Sequence, residues 1–197
     1  MGPVITFLML ALIEAVTVVG PAYPPNAIAG GTVVAVLHVS TGSVDRIEIL
    51  QGDEPFVAPV RSALSGWRFK DSEAGNVLVV VDFRTPNLYS TGSPARKIAP
   101  ARPVPGLAYP EKVVETAYPP NSLAQGSVVL ALDLSETGSV SKVRIVQGLG
   151  SLTEACVSAV RKWLFVPARD NKGIATASEA YAVCVVRRPI LSPQVPQ

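Results

Sequence analysis

An internal repeat constrains the fold of this chain more than any other feature of its sequence. The pentapeptide Ala-Tyr-Pro-Pro-Asn begins at Ala22 and recurs unchanged at Ala117, 95 residues later. Paired valines follow in both copies, and after one extra residue, Glu136, the matches continue at an offset of 96 residues. They include a Thr-Gly-Ser-Val turn, a Gln-Gly step and a Trp-x-Phe element, which contains Trp67 in the first copy and Trp163 in the second. This self-similarity predicts two tandem copies of one structural unit.

Each copy shows the same order of predicted secondary-structure elements. A β-branched run, a glycine-containing turn and a second run of alternating polar and apolar residues predict a β-hairpin. Apolar residues at helical spacing then predict one helix per copy, which in the second copy begins with the capping box 151–154. A further apolar strand closes each unit. The predicted strands are 32–39, 44–50 and 77–83 in the first copy, and 127–134, 140–146 and 179–187 in the second.

These elements predict an α+β fold made of two tandem two-layer modules. In each module one helix packs on a three-stranded antiparallel sheet, and a short helix follows the Tyr-Pro-Pro-Asn segment. Apolar residues make up 48% of the sequence, which is enough for packed cores. The run 77–81 is apolar at every position, so we expect its strand to be buried on both faces. The predicted modules are 18–84 and 113–188, joined by the proline-rich linker 85–112 and followed by the flexible tail 189–197.

The N-terminal segment 1–17 lies before the repeat and is strongly apolar, with Glu14 as its charged side chain. Its apolar stretch fits the hydrophobic region of a signal peptide and is too short for a comfortable membrane span of about 20 residues. A basic start and a good cleavage site are both missing, so a buried N-terminal strand or helix is the alternative interpretation. We expect the segment to direct export or to anchor the protein weakly, and to provide its contact with the membrane.

The sequence contains no arrangement of residues that is typical of an active site. His38 is the single histidine, and the second copy has Asp133 at the equivalent position, so neither a catalytic triad nor a histidine-based metal site is predicted. The glycine-rich turns lack the Gly-Lys ending of a phosphate-binding loop. The formal net charge is +2 and the basic residues are scattered, which makes nucleic acid a poor candidate partner. We therefore predict a protein that is not an enzyme, with no catalytic residues, no metal site and no cofactor.

Two cysteines, Cys156 and Cys184, both belong to the second copy. The first lies on the predicted inward stripe of the helix and the second on the predicted last strand, so the two side chains could meet. In an exported protein a disulfide between them is one interpretation. Two buried thiols that pack as small apolar side chains are the other, and Val60 at the equivalent of Cys156 favours it.

The order of the motifs in each copy resembles the C-terminal domain of TonB-type energy transducers. The first copy is similar to the second but lacks the Pro-Ala step near its end. In the second copy the order is Tyr118-Pro119, Gly126, Val128-Val129, Gly138-Ser139-Val140, Gln147-Gly148, Trp163, Phe165 and Pro167-Ala168. No single motif is specific to the family, but the complete order, present twice, is fairly specific.

This resemblance implies a function in the cell envelope. Domains of that family lie in the periplasm of Gram-negative-type bacteria and bind an extended segment of an outer-membrane transporter by strand addition, so we expect a protein partner and a role in such transport. A structural or peptidoglycan-associated envelope module that reuses the same fold is the alternative function. The resemblance also implies partner-binding residues in the Tyr-Pro stretches and in the last strand, namely Tyr23, Pro24, Tyr118, Pro119, Tyr181, Val183 and Val185.

Overall fold

The structure, a computed structural model, describes residues 13–71, 74–85, 94–98, 104–120 and 122–188. These residues form short and long strands and two helices. The helices are α1 (Val57–Leu64) and α2 (Ser151–Val160). The strands are β1 (Ala15–Thr17), β2 (Gly31–Ser40), β3 (Ser43–Gln51), β4 (Arg68–Phe69), β5 (Gly75–Phe83), β6 (Ala95–Lys97), β7 (Tyr109–Val114), β8 (Gly126–Leu134), β9 (Val140–Gln147), β10 (Leu164–Val166), β11 (Ala168–Arg169), β12 (Ala175–Thr176) and β13 (Ser178–Val186).

Eight of these strands form one mixed sheet in the order β1-β4-β3-β2-β5-β13-β8-β9. Seven neighbouring pairs are made in this order, and the pair between β5 and β13 is parallel, with Val79 opposite Tyr181 and Phe83 opposite Val185. All the other neighbours in the sheet are antiparallel. A second sheet has the order β10-β7-β6, and a single bridge between Ser139 and Leu164 connects it to the start of β9.

The prediction of two separate modules, each with one helix on its own three-stranded sheet, is wrong. The last strands of the two copies pair with each other, which joins the copies into a single sheet. In the isolated modules β5 and β13 would each have one unpaired side and one uncovered apolar face. Pairing between β5 and β13 satisfies the backbone groups on these unpaired sides and covers the apolar faces. The run from Val77 to Phe83 is accordingly buried along its whole length. The expected burial of 77–81 on both faces is confirmed.

The two copies are related by an approximate half-turn about an axis along the strands. The strand order β3-β2-β5 of the first copy is continued by β13-β8-β9, which is the same order reversed. Such a rotation exchanges the two faces of the sheet. As a result α1 covers one face, named the α1 face, and α2 covers the other, named the α2 face.

Each face carries a hydrophobic core to which both copies contribute. The α1 face packs around Trp67, and the α2 face packs around Trp163; both indole rings are buried. On the α1 face the strand residues include Val33, Ala35, Leu37, Val79, Val81, Val129, Tyr181, Val183 and Val185. On the α2 face they include Val34, Val36, Leu78, Val80, Leu130, Leu132, Ala180, Ala182 and Cys184. The cores are therefore shared between the copies.

Four further segments differ from their predicted structure or lie wholly or mostly outside the described residues. No short helix follows the Tyr-Pro-Pro-Asn segment of the first copy, where a turn is closed by a hydrogen bond from Ala27 N to the carbonyl oxygen of Pro24 (3.2 Å). The linker 85–112 contains β6 and the first residues of β7. The tail 189–197 and most of the N-terminal segment, residues 1–12, lie outside the described residues. Among the residues that are described, no helix has the length and apolar character needed to cross a membrane.

Candidate functional site

The Tyr-Pro segments of both copies lie at the same end of the sheet, where β2 and β8 begin and β5 and β13 end. The hydroxyl of Tyr23 lies 2.9 Å from the carbonyl oxygens of both Ala29 and Arg84. The hydroxyl of Tyr118 donates to the carbonyl oxygen of Ala124, also at 2.9 Å. Ala29 and Ala124 are equivalent in the repeat, so each tyrosine closes its own loop with the same contact.

An arginine from the second copy holds the Tyr-Pro loop of the first copy. The guanidinium of Arg187, just after β13, lies over the ring of Tyr23 at 5.1 Å from the ring centroid. Its Nη1 donates to the carbonyl oxygens of Pro24 (3.2 Å) and Pro25 (2.8 Å). Burial raises the pKa of Tyr23 to about 12, although the positive charge of Arg187 opposes the shift. Tyr23 and Pro24 are therefore engaged with the end of β13.

The second Tyr-Pro loop is held in the same way by the first copy. The guanidinium of Arg84, just after β5, lies over the ring of Tyr118 at 5.2 Å, and its Nε donates to the carbonyl oxygen of Thr116 (3.0 Å). Pro119, next to Tyr118, is half-buried. The two loops and the two arginines thus form reciprocal contacts between the copies.

Tyr181, Val183 and Val185 lie in the middle of the molecule. Their side chains are at most 1% exposed, and their strand pairs with β5 on one side and with β8 on the other. The hydroxyl of Tyr181 donates to the carbonyl oxygen of Ile13 and accepts from the amide of Ala15, both at 2.9 Å. The side of β13 that the resemblance assigns to a partner strand is therefore occupied by β5.

A disulfide joins Cys156 on α2 to Cys184 on β13. The two Cα atoms are 6.2 Å apart, and both side chains are buried in the core of the α2 face. Val60 stands at the equivalent of Cys156 in the first copy. The bond therefore ties the helix to the sheet in the second copy alone.

A buried ion network at the same end of the sheet was not predicted from the sequence. The Oδ1 atom of Asp82 on β5 accepts hydrogen bonds from Arg96 Nη1 on β6 (2.6 Å) and from Thr32 Oγ1 on β2 (2.9 Å). Arg96 Nη2 lies 3.1 Å from Glu115 Oε2. Burial raises the pKa of Asp82 to about 6, and the charge of Arg96 opposes that shift. A charged residue in the otherwise apolar run 77–83 was the signal for this network.

The long strands β3 and β9 are equivalent in the repeat, and each is unpaired with another described strand along most of its outer side. β3 pairs on its outer side with β4 through Ser43 and Arg68, and β9 is the last strand of the eight-stranded sheet. Apart from the bridge at Ser139, just before β9, no strand among the described residues pairs with the outer side of β9. Such an edge presents a row of backbone N–H and C=O groups with which another strand can pair.

The fold defines a mainly β protein in which one helix covers each face of a single mixed sheet. Residues 106–183 match the family model of the Gram-negative bacterial TonB protein C-terminal domain. The family consists of non-enzymatic, periplasmic energy-transducer domains. The resemblance seen in the motifs of the second copy is thereby confirmed, whereas membership of the first copy stays a prediction. No curated protein and no solved structure gives a significant match to the chain.

Proposed function

We propose that the protein is a non-enzymatic component of the Gram-negative cell envelope that binds an extended segment of a partner protein by strand addition. The open outer side of β9, which lies within the family match, carries this proposal. In strand addition the main-chain hydrogen bonds of the free edge supply affinity, and pockets for alternate side chains supply specificity. The partner we propose is a segment of an outer-membrane transporter or of another envelope protein, and the binding would assist TonB-type transport.

We place the partner strand on β9 because pairing with β13 would require the sheet to open. A partner strand could pair with β13 beside Tyr181, Val183 and Val185 only after β5 had left, because β5 is paired there at five positions. That separation would expose strand residues of both cores to water, which is unfavourable in proportion to the apolar area uncovered. Strand addition to β9 needs no such rearrangement. Binding at β13 and at the Tyr-Pro loops, which contain Tyr23, Pro24, Tyr118 and Pro119, remains an alternative prediction.

The proposed location follows from the same family. We place the protein in the periplasm or cell envelope, exported or weakly anchored through the segment 1–17. A disulfide of the kind formed by Cys156 and Cys184 is stable in an oxidising compartment such as the periplasm, which supports that location.

Photo-cross-linking in intact cells tests the proposed mode of binding. A photoreactive residue replaces Ile145 on β9, and matched controls replace Ile49, its equivalent on β3, and Pro119 in the Tyr-Pro loop. We expect a protein adduct from position 145, with cross-links mapped by mass spectrometry to every second residue of one partner segment, as an extended strand requires. Adducts from position 119 alone would move the site to the Tyr-Pro face. Retention on peptidoglycan without any protein adduct would instead support a structural module.

A further inference from the structure

The outer edge of β3 in the first copy is capped by its own helix. Arg61 on α1 reaches across the edge, and its Nη1 donates to the carbonyl oxygen of Ile47 at 2.9 Å. At the offset of 96 residues the equivalent of Ile47 is Val143, and the equivalent of Arg61 is Val157 on α2. A valine side chain has no hydrogen-bond donor, so α2 cannot cap β9 in this way. The repeat therefore contains one capped edge and one uncapped edge.

The cap also shows which backbone groups of β9 face outward. Because the carbonyl of Ile47 points away from β2 to meet Arg61, the N–H and C=O of the equivalent Val143 point away from β8. In a regular antiparallel strand every second residue has this orientation, so Ile145, which is in register with Val143, shares it. These two residues offer donors and acceptors that an added strand would use.

A groove of about 470 Å³ runs between β9 and α2, directly beside this edge. Ile145, which is 59% exposed, forms part of its strand side, and Val157 and Thr153 form part of its helix side. An exposed large aliphatic side chain next to an open groove can be covered by an apolar residue of a bound segment. The groove therefore suits a strand with an aliphatic side chain at the position beside Ile145.

The rim of the groove is basic. Arg161 and Lys162 lie at its helix end; both are exposed, and in the described part of the chain neither forms a salt bridge. Glu154 is the acidic residue of the lining. The first copy has Ser65 and Gly66 at the equivalents of Arg161 and Lys162, so the positive charge belongs to the uncapped edge. Charge complementarity favours a negatively charged partner.

We infer that the groove between β9 and α2 binds an extended acidic protein segment with an aliphatic residue beside Ile145, whereas Arg61 keeps the equivalent edge of the first copy closed. This inference rests on the proposed strand addition and adds the place, the partner chemistry and the reason why one copy binds. The segment pairs with Val143 and Ile145, and carboxylates two residues away from its aliphatic residue lie on the same face, against the basic rim.

Defined peptides test the inference on the full chain. The probes are fluorescein-labelled threonine heptapeptides with a central valine and a glutamate two residues away on either side, so that all three side chains share one face. The controls are the same peptide with lysines in place of the glutamates, and the glutamate peptide with proline in place of a threonine next to the valine. Anisotropy titrations should show the glutamate peptide binding at least 10-fold more tightly than either of the others. Hydrogen exchange at saturation should slow at the amides of residues 143 and 145. Raising the salt concentration should weaken the binding of the glutamate peptide.

Variants that carry the equivalent residue of the other copy test the uncapped edge and the basic rim separately. Val157→Arg installs the cap of the first copy and should lower the affinity of every peptide at least 10-fold. Arg61→Val, the matched control, should leave the affinity at β9 unchanged. The pair Arg161→Ser and Lys162→Gly, which installs the residues of the first copy, should remove most of the preference for glutamate over lysine. Circular dichroism of each variant checks that the fold is retained.

Each outcome decides between the inference and the function on which it rests. Equal binding of the glutamate and lysine peptides, with slowed exchange in β9, would overturn the acidic partner and leave strand addition standing. Slowed exchange in β3 instead of β9 would overturn the assignment of the edge. If no peptide slowed exchange in any edge strand, the strand-addition function itself would be wrong.

Discussion

At the scale of single residues, Asp82 has the most demanding environment in the described structure. Its side chain is 1% exposed, and its Oδ2 atom has no hydrogen-bond partner among the described residues. Burial disfavours the charged carboxylate, and Arg96 compensates for part of that cost. The arginine comes from β6, so the network ties the segment between the copies to the centre of the sheet.

The raised pKa of Asp82 predicts a specific dependence of stability on pH. With a folded-state pKa of about 6 against an ordinary 3.8, the folded protein holds this proton more tightly than the unfolded chain. The resulting stabilisation is present below pH 3.8 and is lost as the pH rises through 6. Denaturant titrations between pH 4 and 7 should therefore show a steeper fall in the free energy of unfolding for the wild type than for Asp82→Asn. Glu179, whose pKa burial raises to about 7, is present in both proteins and acts on both curves. Parallel curves would contradict this assignment.

The sequence indicated one of the two central residues of this network, Asp82, but not the other, Arg96. Asp82 was visible as a charged residue in an apolar strand, which indicates a buried carboxylate that needs a partner. Arg96 lies in a segment rich in proline and without periodicity, and nothing in its neighbourhood predicts β6. Its pairing with β7 and its contact with Asp82 are decided by tertiary structure.

At the scale of secondary-structure elements, each helix is followed by a buried tryptophan whose indole makes the same kind of hydrogen bond in both copies. Trp163 is 1% exposed and its Nε1 donates to the carbonyl oxygen of Val114, and Trp67 donates in the same way to Val19, both at 2.9 Å. Val114 and Val19 are equivalent in the repeat. Each indole therefore fastens the segment that precedes the Tyr-Pro loop to the core below the helix.

Replacing one of these indoles should strongly destabilise the whole sheet. For Trp163→Ala we expect a loss of about 3–5 kcal/mol in the free energy of unfolding, because a large buried side chain and its hydrogen bond disappear. Leu164→Ala, at the neighbouring position that is 41% exposed, should cost less than about 1 kcal/mol. Both values come from denaturant unfolding at constant pH. A loss near zero for Trp163→Ala would mean that the indole is exposed in solution and available to a partner.

Individual elements followed from local pattern, whereas their partners did not. The predicted strand 32–39 is β2 (Gly31–Ser40), and the helix predicted to begin at residue 151 is α2, because alternation and helical spacing are encoded over a few residues. The predicted capping box is not formed, since the N-cap of α2 is Gly150 and no side chain caps the helix. The turn at Pro24 replaced the predicted short helix, since its chain is held by Arg187 from the other copy. The contact between Arg61 and Ile47 likewise joins two elements whose separate patterns say nothing about it.

At the scale of the whole molecule, the pairing of β5 with β13 makes the two copies interdependent. Tyr181 from the second copy packs against Trp67 of the first, with ring centroids 5.4 Å apart. Local sequence patterns fit two separate modules equally well, because the decisive contacts join residues about 100 positions apart. The one indication was that the strand ending each copy is apolar on both faces, which is typical of a central strand.

Cutting the chain between the copies tests this interdependence. A protease site inserted between Ser90 and Thr91 allows the folded protein to be cleaved while every described strand stays whole. The two fragments should elute together in gel filtration and separate in denaturant, because β5, β13 and the shared cores hold them together. Tyr181→Ala, which removes a ring from the α1 face, should promote their separation.

The fragment 104–188 expressed alone should aggregate or fail to fold, since one side of β13 and the residues Val183 and Val185 would be uncovered. Elution of the cleaved protein as two folded monomers would show instead that each copy is an independent domain.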